Sequence, residues 1–217
     1  MATLPDSAAG EGSNDSHGTI YLLRHGSVRS AEGGKRYIGW QDVVLSDVGL
    51  RQAGMWADYF SGIALEDICC SDLSRCMETA RIIGKRCSIE PRPFAALREV
   101  ALGTWEGQRF DAIRSRHPRA FQQRGDRIAD HRPPGGESFH DLQARVWPVF
   151  EAIAQRGAGH RLIVTHAGVI RVVLCRLLGM PLENLFRIGQ TYGALNIVEV
   201  RPANRRILAL NLHPDVA

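Results

Sequence analysis

The sequence predicts an α/β protein, a three-layer αβα sandwich whose central sheet is mostly parallel and has an antiparallel edge. Short apolar runs at 20–23, 63–70 and 161–165 predict buried strands. Segments with apolar residues at helical spacing separate these runs, which favours parallel strands joined by helices. Two further runs, 194–200 and 206–212, are separated by a short turn and predict the antiparallel edge.

The first strand ends in an unusual way. The run 20–23 leads directly into Arg24, His25 and Gly26 instead of the usual turn residues. Open α/β sheets bind their ligands at the carboxyl ends of the strands, where this cation and imidazole would lie. Taken alone, so short a motif favours an ordinary pair of surface side chains at the start of a loop.

Helices follow from spacing, caps and breaker residues. After a loop over 27–44, Ser46 is the expected N-cap of a helix over 47–60, which Gly62 ends. The same signals predict further helices over 75–87, over 110–121 with a break at Pro118, from 137 or 138 to 155, and over 168–178.

Composition indicates one globular domain. The chain has 217 residues, of which 44% are hydrophobic and 23% charged, and a net charge of +4 that is spread along the chain. No basic run indicates a nucleic-acid arm or a membrane anchor, and no apolar stretch approaches the roughly 18 residues that span a bilayer. Residues 1–18 predict a disordered tail rather than a signal peptide, and 19–217 the domain, with a helical insertion around 105–135.

Five cysteines show neither a CxxC pair nor the spacing of a zinc site. Their number is odd, and two of them lie inside an apolar run. They predict reduced core residues in a cytoplasmic protein.

Three strands are each followed at once by polar groups that suit phosphate. These groups are Arg24 with His25, the run 71–75, and Thr165 with His166. The carboxyl ends of parallel strands lie along one edge of a sheet, so the groups should converge there. A helix that begins near Gly168 would aim its first amides at the same place. The three coincidences together predict a phosphate site.

These residues also carry a family resemblance. The chain resembles the histidine phosphatase (phosphoglycerate-mutase-like) superfamily, in particular its phosphatase branch and the bacterial alpha-ribazole phosphatases. The matching blocks occur in order along residues 19–200: Arg24-His25-Gly26, Ser71-Asp72-Leu73-Ser74-Arg75 with Thr79-Ala80, Leu97-Arg98-Glu99 with Gly103-Thr104-Trp105-Glu106-Gly107, Pro134-Gly135-Gly136-Glu137-Ser138, and Thr165-His166-Ala167-Gly168-Val169-Ile170-Arg171. The run 177–187 carries the likeness to the alpha-ribazole phosphatases.

The resemblance implies a role for each catalytic candidate. His25 would be the nucleophile that becomes a phosphohistidine. Arg24, Arg75 and His166 would hold the phosphoryl oxygens, so that neither a metal nor a cofactor is needed. Glu99 would protonate the leaving alcohol and then activate water. Glu106 is the competing carboxyl, with a structural role preferred for it.

Seven further residues are candidates for substrate binding, although the aromatic ones among them are more typical of a core. They are Ser27, Tyr37, Gly39, Trp40, Ala167, Gly168 and Gln190. Ser27, Val28 and Ala31 stand where many relatives carry Glu or Gln, then Thr or Ser, and later Asn. The loop after His25 therefore offers fewer side-chain donors than is usual in the family.

The leading functional hypothesis is a phosphomonoesterase that acts on a small phosphorylated metabolite, with alpha-ribazole 5′-phosphate of cobalamin synthesis as the expected substrate. A cofactor-dependent phosphoglycerate mutase and a non-catalytic domain that binds phosphorylated ligands remain as alternatives. The expected partner is the small metabolite, with neither nucleic acid nor membrane, and a homodimer is left open.

Overall fold

The computed structural model describes residues 17–29, 34–201 and 204–213. Most of the expected N-terminal tail, Ala31 and part of the expected turn near 203 lie outside these residues. Gly18, which was assigned to the tail, begins the first strand instead. No helix among the described residues has both the length and the apolar composition to cross a membrane.

The described residues form one sheet of six strands. In chain order these are β1 (Gly18–Arg24), β2 (Leu65–Cys70), β3 (Arg92–Pro93), β4 (Gly159–Thr165), β5 (Leu195–Arg201) and β6 (Asn204–Leu212). Their spatial order is β3-β2-β4-β1-β5-β6. The first four strands in this order are parallel to one another, whereas β5 is antiparallel to both β1 and β6. The predicted fold class, including its antiparallel edge, is confirmed.

Helices cover both faces of this sheet. They are α1 (Asp47–Phe60), α2 (Ser74–Cys87), α3 (Phe110–Arg116), α4 (Pro118–Asp126), α5 (Phe139–Ala154) and α6 (Ala167–Leu177). Ser46 caps α1 by accepting from Gly49 N, as expected, and Ser138 caps α5 with Asp141 in a capping box. Pro118 separates α3 from α4, also as expected.

The short strand β3 was not predicted. Its two residues pair with the end of β2, and Phe94 N continues the ladder by donating to Cys70 O at 2.8 Å. Pro91 and Pro93 break the helical and strand patterns around it, and Pro93 has no N–H to donate, which suits the edge of a sheet.

Alternate residues of β1 face two separate cores. Tyr21 and Leu23 pack with side chains of α1 and α2, and Ile20 and Leu22 pack with those of α5 and α6. Because both faces are covered, the carboxyl ends of the strands are left as the place where polar groups can gather.

Two glycines hold the loop after β1 against α1. A Cβ on Gly26 would lie 2.5 Å from Gly49 O, and a Cβ on Gly49 would lie 2.0 Å from Ser27 O. Only glycine fits at this close approach of two backbones. The contact fixes where the chain leaves β1, and with it the position of His25.

Candidate active site

Three groups that are far apart in the sequence meet at the carboxyl rim of the sheet. His25 follows β1, Arg75 lies in the first turn of α2 after β2, and His166 follows β4. The rings of His25 and His166 are 5.1 Å apart, and Arg75 Nε lies 3.3 Å from His25 Nε2. All three side chains are buried, with at most 4% of their surface exposed. The convergence expected from the strand ends is therefore present in the structure.

The hydrogen bonds of His25 define its tautomer. Nδ1 lies 2.8 Å from Gly26 O, and because a carbonyl can only accept, Nδ1 must carry the proton. Nε2 is then left with its lone pair. Burial, followed by the charges of Arg24 and Arg75, lowers the pKa of His25 well below its usual value. The nitrogen that would attack phosphorus is thus held in its unprotonated form.

Arg75 is a buried cation whose other partners are neutral. Its Nη1 donates to Gln41 O at 2.9 Å and its Nη2 donates to Gly39 O at 2.7 Å. Among the described residues, no carboxylate lies within 4.0 Å of its guanidinium. Its charge is therefore fixed in place and left uncompensated beside His25 Nε2.

Arg24 lies at the same rim and is held there by residues that precede β5. Its Nη1 donates to Gln190 O at 2.7 Å, and its guanidinium carbon lies 3.8 Å from the centre of the Tyr192 ring. Its buried Nε has no hydrogen-bond partner among the described residues. A buried donor without a partner costs free energy of folding, and a bound anion that accepts from this donor would remove that cost.

His166 is the N-cap residue of α6 and is fully buried. Its Nε2 lies 2.9 Å from the hydroxyl oxygen of Ser71, the first residue after β2. Burial, with Arg75 as the next cause, lowers the pKa of His166 well below its usual value. A neutral imidazole here can donate one hydrogen bond to a phosphoryl oxygen without adding another positive charge.

Glu99 lies at the edge of this group, bound to backbone amides. Val100 N donates to Oε1 at 2.9 Å, and Gly168 N donates to Oε2 at 3.0 Å. A Cβ on Gly168 would lie 2.2 Å from Glu99 Oε1, so a larger residue there would move the carboxylate out of this position. Gly168 N was expected to face the anion, but here it holds the carboxylate.

Glu106 has a second, different role in the site. It accepts from the amides of Gly39, Trp40 and Gln41 at 2.8–3.2 Å, and from Leu102 N at 3.0 Å. The carbonyls of this same loop hold Arg75, so Glu106 positions Arg75 indirectly. The structural role preferred for Glu106 agrees with this arrangement, but its hydrogen bond to Gln41 N spans 65 residues and leaves no signal in the sequence spacing.

A cleft of about 370 Å³ opens beside Glu99. Its lining includes Gly168, Tyr37 and two arginines, Arg124 and Arg171. Arg171 ends the last of the matching motifs, but neither arginine was among the predicted site residues. A larger cavity of about 640 Å³ lies elsewhere, next to Met77 on α2, and none of the five catalytic candidates lines it. The cleft of about 370 Å³ adjoins the site at Glu99, whereas the other four catalytic candidates do not line it.

Comparison with known proteins agrees with this geometry. The family model described as the histidine phosphatase superfamily, branch 1, matches residues 20–213. The chain belongs to this superfamily. The resemblance predicted from the motifs is thus confirmed, and the matched region contains all of the catalytic candidates.

Solved structures share this histidine phosphatase fold. A mycobacterial glucosyl-3-phosphoglycerate phosphatase is 26% identical, with a TM-score of 0.79, over 90% of this chain and 99% of that one. The alpha-ribazole phosphatase from Shigella flexneri has a TM-score of 0.81 over 89% of this chain and 96% of that one, but at 23% identity this likeness shows the fold alone.

A curated relative from Yersinia pestis is named "Probable phosphoglycerate mutase GpmB". It is 29% identical over 163 residues, which is 75% of each chain. The superfamily relatives therefore carry names from both the phosphatase and the mutase classes.

Some residues predicted to bind substrate serve the site through their backbone. Gly39 holds Arg75 by its carbonyl, and Ser27 N donates to Gln52 Oε1 at 2.8 Å. Gln190 holds Arg24 in the same way, whereas its side-chain amide is already paired with Asn196 in two hydrogen bonds of 2.7 and 3.0 Å. The predicted contact of the Gln190 side chain with substrate is not favoured by this geometry.

Three other predicted binding residues, Tyr37, Trp40 and Ala167, lie near Glu99 or His166. Tyr37 stacks on Phe110 at 3.9 Å and also lines the cleft. Trp40 is 40% exposed, and its indole N–H donates to Glu99 O at 2.7 Å. Ala167 is the first residue of α6, directly after His166. Tyr37 and Trp40 thus lie on the Glu99 side of the site, whereas Ala167 lies next to His166.

The described residues contain no group of three or more His, Cys, Asp or Glu side chains arranged to hold a metal ion. Cys69, Cys70, Cys76 and Cys175 are free and buried, as predicted, whereas Cys87 is half-buried.

Proposed function

We propose that this member of the superfamily is a phosphomonoesterase that hydrolyses a small phosphorylated metabolite through a phosphohistidine on His25. The observation that carries the proposal is the state of His25, whose proton is on Nδ1 and whose unprotonated Nε2 accepts a hydrogen bond of 3.3 Å from the buried cation Arg75. A neutral imidazole fixed in this way is a ready nucleophile, and the cation next to it can hold the oxygens of the group that it attacks.

The proposed reaction has two halves. In the first, His25 Nε2 forms a bond to phosphorus while the ester P–O bond breaks, and Glu99 gives its proton to the leaving oxygen. In the second, water attacks the phosphohistidine, Glu99 takes a proton from that water, and the P–N bond breaks to free Nε2. Arg24 and Arg75 neutralise the phosphoryl oxygens throughout.

The direct test compares His25→Ala with His117→Ala, which removes an exposed histidine. With p-nitrophenyl phosphate as substrate, we expect His25→Ala to abolish turnover and His117→Ala to retain it. Rapid mixing followed by mass spectrometry of the intact protein should show one added phosphoryl group in the parent and none in His25→Ala. Turnover near the parent value in His25→Ala would remove His25 as the nucleophile.

A phosphoglycerate mutase is the second candidate, because the Yersinia pestis relative carries that name. The two reactions share the phosphohistidine and differ only in whether water or another hydroxyl receives the phosphoryl group. Incubation with 3-phosphoglycerate and a catalytic amount of 2,3-bisphosphoglycerate, followed by ³¹P NMR, separates them. Free phosphate supports the phosphatase, and isomerised phosphoglycerate supports the mutase.

Alpha-ribazole 5′-phosphate remains a proposed substrate that rests on the sequence resemblance. It belongs in a panel of phosphorylated metabolites whose kcat/KM values are compared. If the protein binds members of the panel but turns none of them over, the non-catalytic alternative is supported instead.

A further inference from the structure

The cleft beside Glu99 combines two arginines with an aromatic wall. Arg124 comes from α4 in the helical insertion, and Arg171 comes from α6. Both line the cleft together with Glu99, so the cleft lies on the side where a leaving group would receive its proton. The rings that contribute to its wall are Tyr37, Phe110, Phe139 and Phe186.

Neither arginine of this cleft forms an ion pair within the part of the chain that the structure describes, although the more distant charge of Glu99 opposes the lowering of the Arg171 pKa. Among the described residues, no carboxylate oxygen lies within 4.0 Å of Arg124 or Arg171. The guanidinium of Arg124 lies 5.4 Å from the centre of the Tyr37 ring and 6.0 Å from that of Phe186. Arg171 donates to Ile188 O at 3.0 Å and lies 5.1 Å from the Phe186 ring.

Leaving both cations in this place has a cost. Burial lowers the pKa of Arg124 and is also the largest cause of the lowered pKa of Arg171. Cations that have given up part of their hydration and gained no ionic partner favour the arrival of an anion, which would restore the lost interactions.

We propose that this cleft binds a second anionic group carried by the leaving group of the substrate. The substrate is then a phosphomonoester of a small organic acid, or a bisphosphate, rather than the ester of a neutral alcohol. This disfavours alpha-ribazole 5′-phosphate, whose leaving alcohol carries no second anion. The phosphoryl group would lie at His25, the ester oxygen at Glu99, and the second anion between Arg124 and Arg171. This inference rests on the proposed phosphatase function, which it narrows to a class of substrates.

Two pairs of probes distinguish a carboxylate from a second phosphate as the anion that binds in the cleft. 3-Phosphoglycerate differs from glycerol 3-phosphate by a carboxylate in place of a hydroxymethyl group. Fructose 1,6-bisphosphate differs from fructose 6-phosphate by a second phosphate. We expect the anionic member of at least one pair to be preferred by about tenfold or more in kcat/KM, because a hydrogen bond to a charged group is worth roughly 1.5–3 kcal/mol.

The variants are Arg124→Gln and Arg171→Gln, with Arg119→Gln as the matched control. Arg119 lies on the same helix as Arg124 but is exposed and does not line the cleft. In the preferred pair, either cleft variant should bring the ratio of the two kcat/KM values, anionic member over its counterpart, close to one. Arg119→Gln should keep the ratio of the parent protein. A parent ratio near one in both pairs, or a ratio that both cleft variants leave intact, overturns the inference.

A binding measurement keeps this test separate from the phosphatase itself. Calorimetric titration of the His25→Ala protein with each probe needs no turnover. Tighter binding of the anionic member, lost on adding Arg124→Gln, supports the cleft even if no ester is hydrolysed. Equal affinity within both pairs overturns it even if p-nitrophenyl phosphate is hydrolysed well.

Discussion

Two buried arginines lie at opposite ends of the sheet and are held in opposite ways. Arg161, near the start of β4, is 3% exposed and Arg75, after the end of β2, is 1% exposed. Arg161 Nη2 binds Glu66 Oε2 at 2.6 Å as well as the carbonyls of two neighbouring residues. Arg75 has carbonyls and an imidazole as partners, but no carboxylate among the described residues.

The difference separates a structural cation from a functional one. An arginine whose charge is neutralised by a fixed carboxylate ties two strands together and has little attraction left for a ligand. An arginine that is fully hydrogen-bonded but not neutralised keeps its geometry and still attracts an anion. Burial alone does not distinguish the two. The charge of the partners does.

Removing the charge of each arginine in turn tests whether one serves function and the other stability. We expect Arg75→Gln to lower kcat/KM for p-nitrophenyl phosphate by about a thousandfold, because it removes a positioned charge from the transition state. Arg161→Gln should instead lower the free energy of unfolding in urea by about 1–2 kcal/mol, since it loses charged hydrogen bonds at a half-exposed acid. A large loss of activity in Arg161→Gln that exceeds the loss in Arg75→Gln would contradict the distinction.

The two carboxylates near the rim extend the comparison, because backbone amides rather than arginines hold both. Glu106 accepts four hydrogen bonds and Glu99 accepts two, and of the pair only Glu99 lines the cleft. Glu99→Gln should slow hydrolysis of alkyl phosphates about a hundredfold more than that of p-nitrophenyl phosphate, whose leaving group hardly needs a proton. Glu106→Gln should affect both substrates equally, because it acts through the position of Arg75.

A series of aryl phosphates with leaving groups of graded acidity measures this difference. The slope of log kcat/KM against leaving-group pKa should steepen in Glu99→Gln and stay parallel to the parent in Glu106→Gln. Parallel lines for all three proteins would argue against an acid role for Glu99. If the slope steepens in Glu106→Gln alone, Glu106 is the general acid and Glu99 the positioning residue.

The smallest expected effect concerns pH and stability. The pKa of buried His25 is lowered in the folded state, so below its unfolded value of about 6.5 the unfolded chain binds a proton that the folded one does not. This group therefore contributes stability above that pH, which is lost as the pH falls toward the folded pKa. The free energy of unfolding in urea should fall less steeply with decreasing pH in His25→Gln than in the parent protein. The difference should be about 1.4 kcal/mol for each pH unit below 6.5. His117→Gln, at an exposed position, is the control that should keep the parent slope.

Local signals in the sequence determined the main helices and most of the strands. Ser46 and the apolar spacing after it predicted α1 with both its ends, and the apolar runs before His25, Ser71 and His166 predicted three parallel strands. Once those strands were placed in one sheet, the meeting of the arginines and histidines followed from its geometry. Caps, periodicity and strand ends act over a few residues, which is why they can be read along the chain.

Only the tertiary structure decided how the charges are held. Every residue carries a carbonyl and nearly every one an amide, so no spacing shows that the carbonyls of Gly39 and Gln41 hold Arg75, or that Glu106 holds their loop. The same is true of Arg124 and Arg171, which come together from two helices far apart in the sequence. An arginine looks the same along the chain whether or not a carboxylate neutralises it. Its partners are chosen by folding, and they decide whether its charge serves the fold or a ligand.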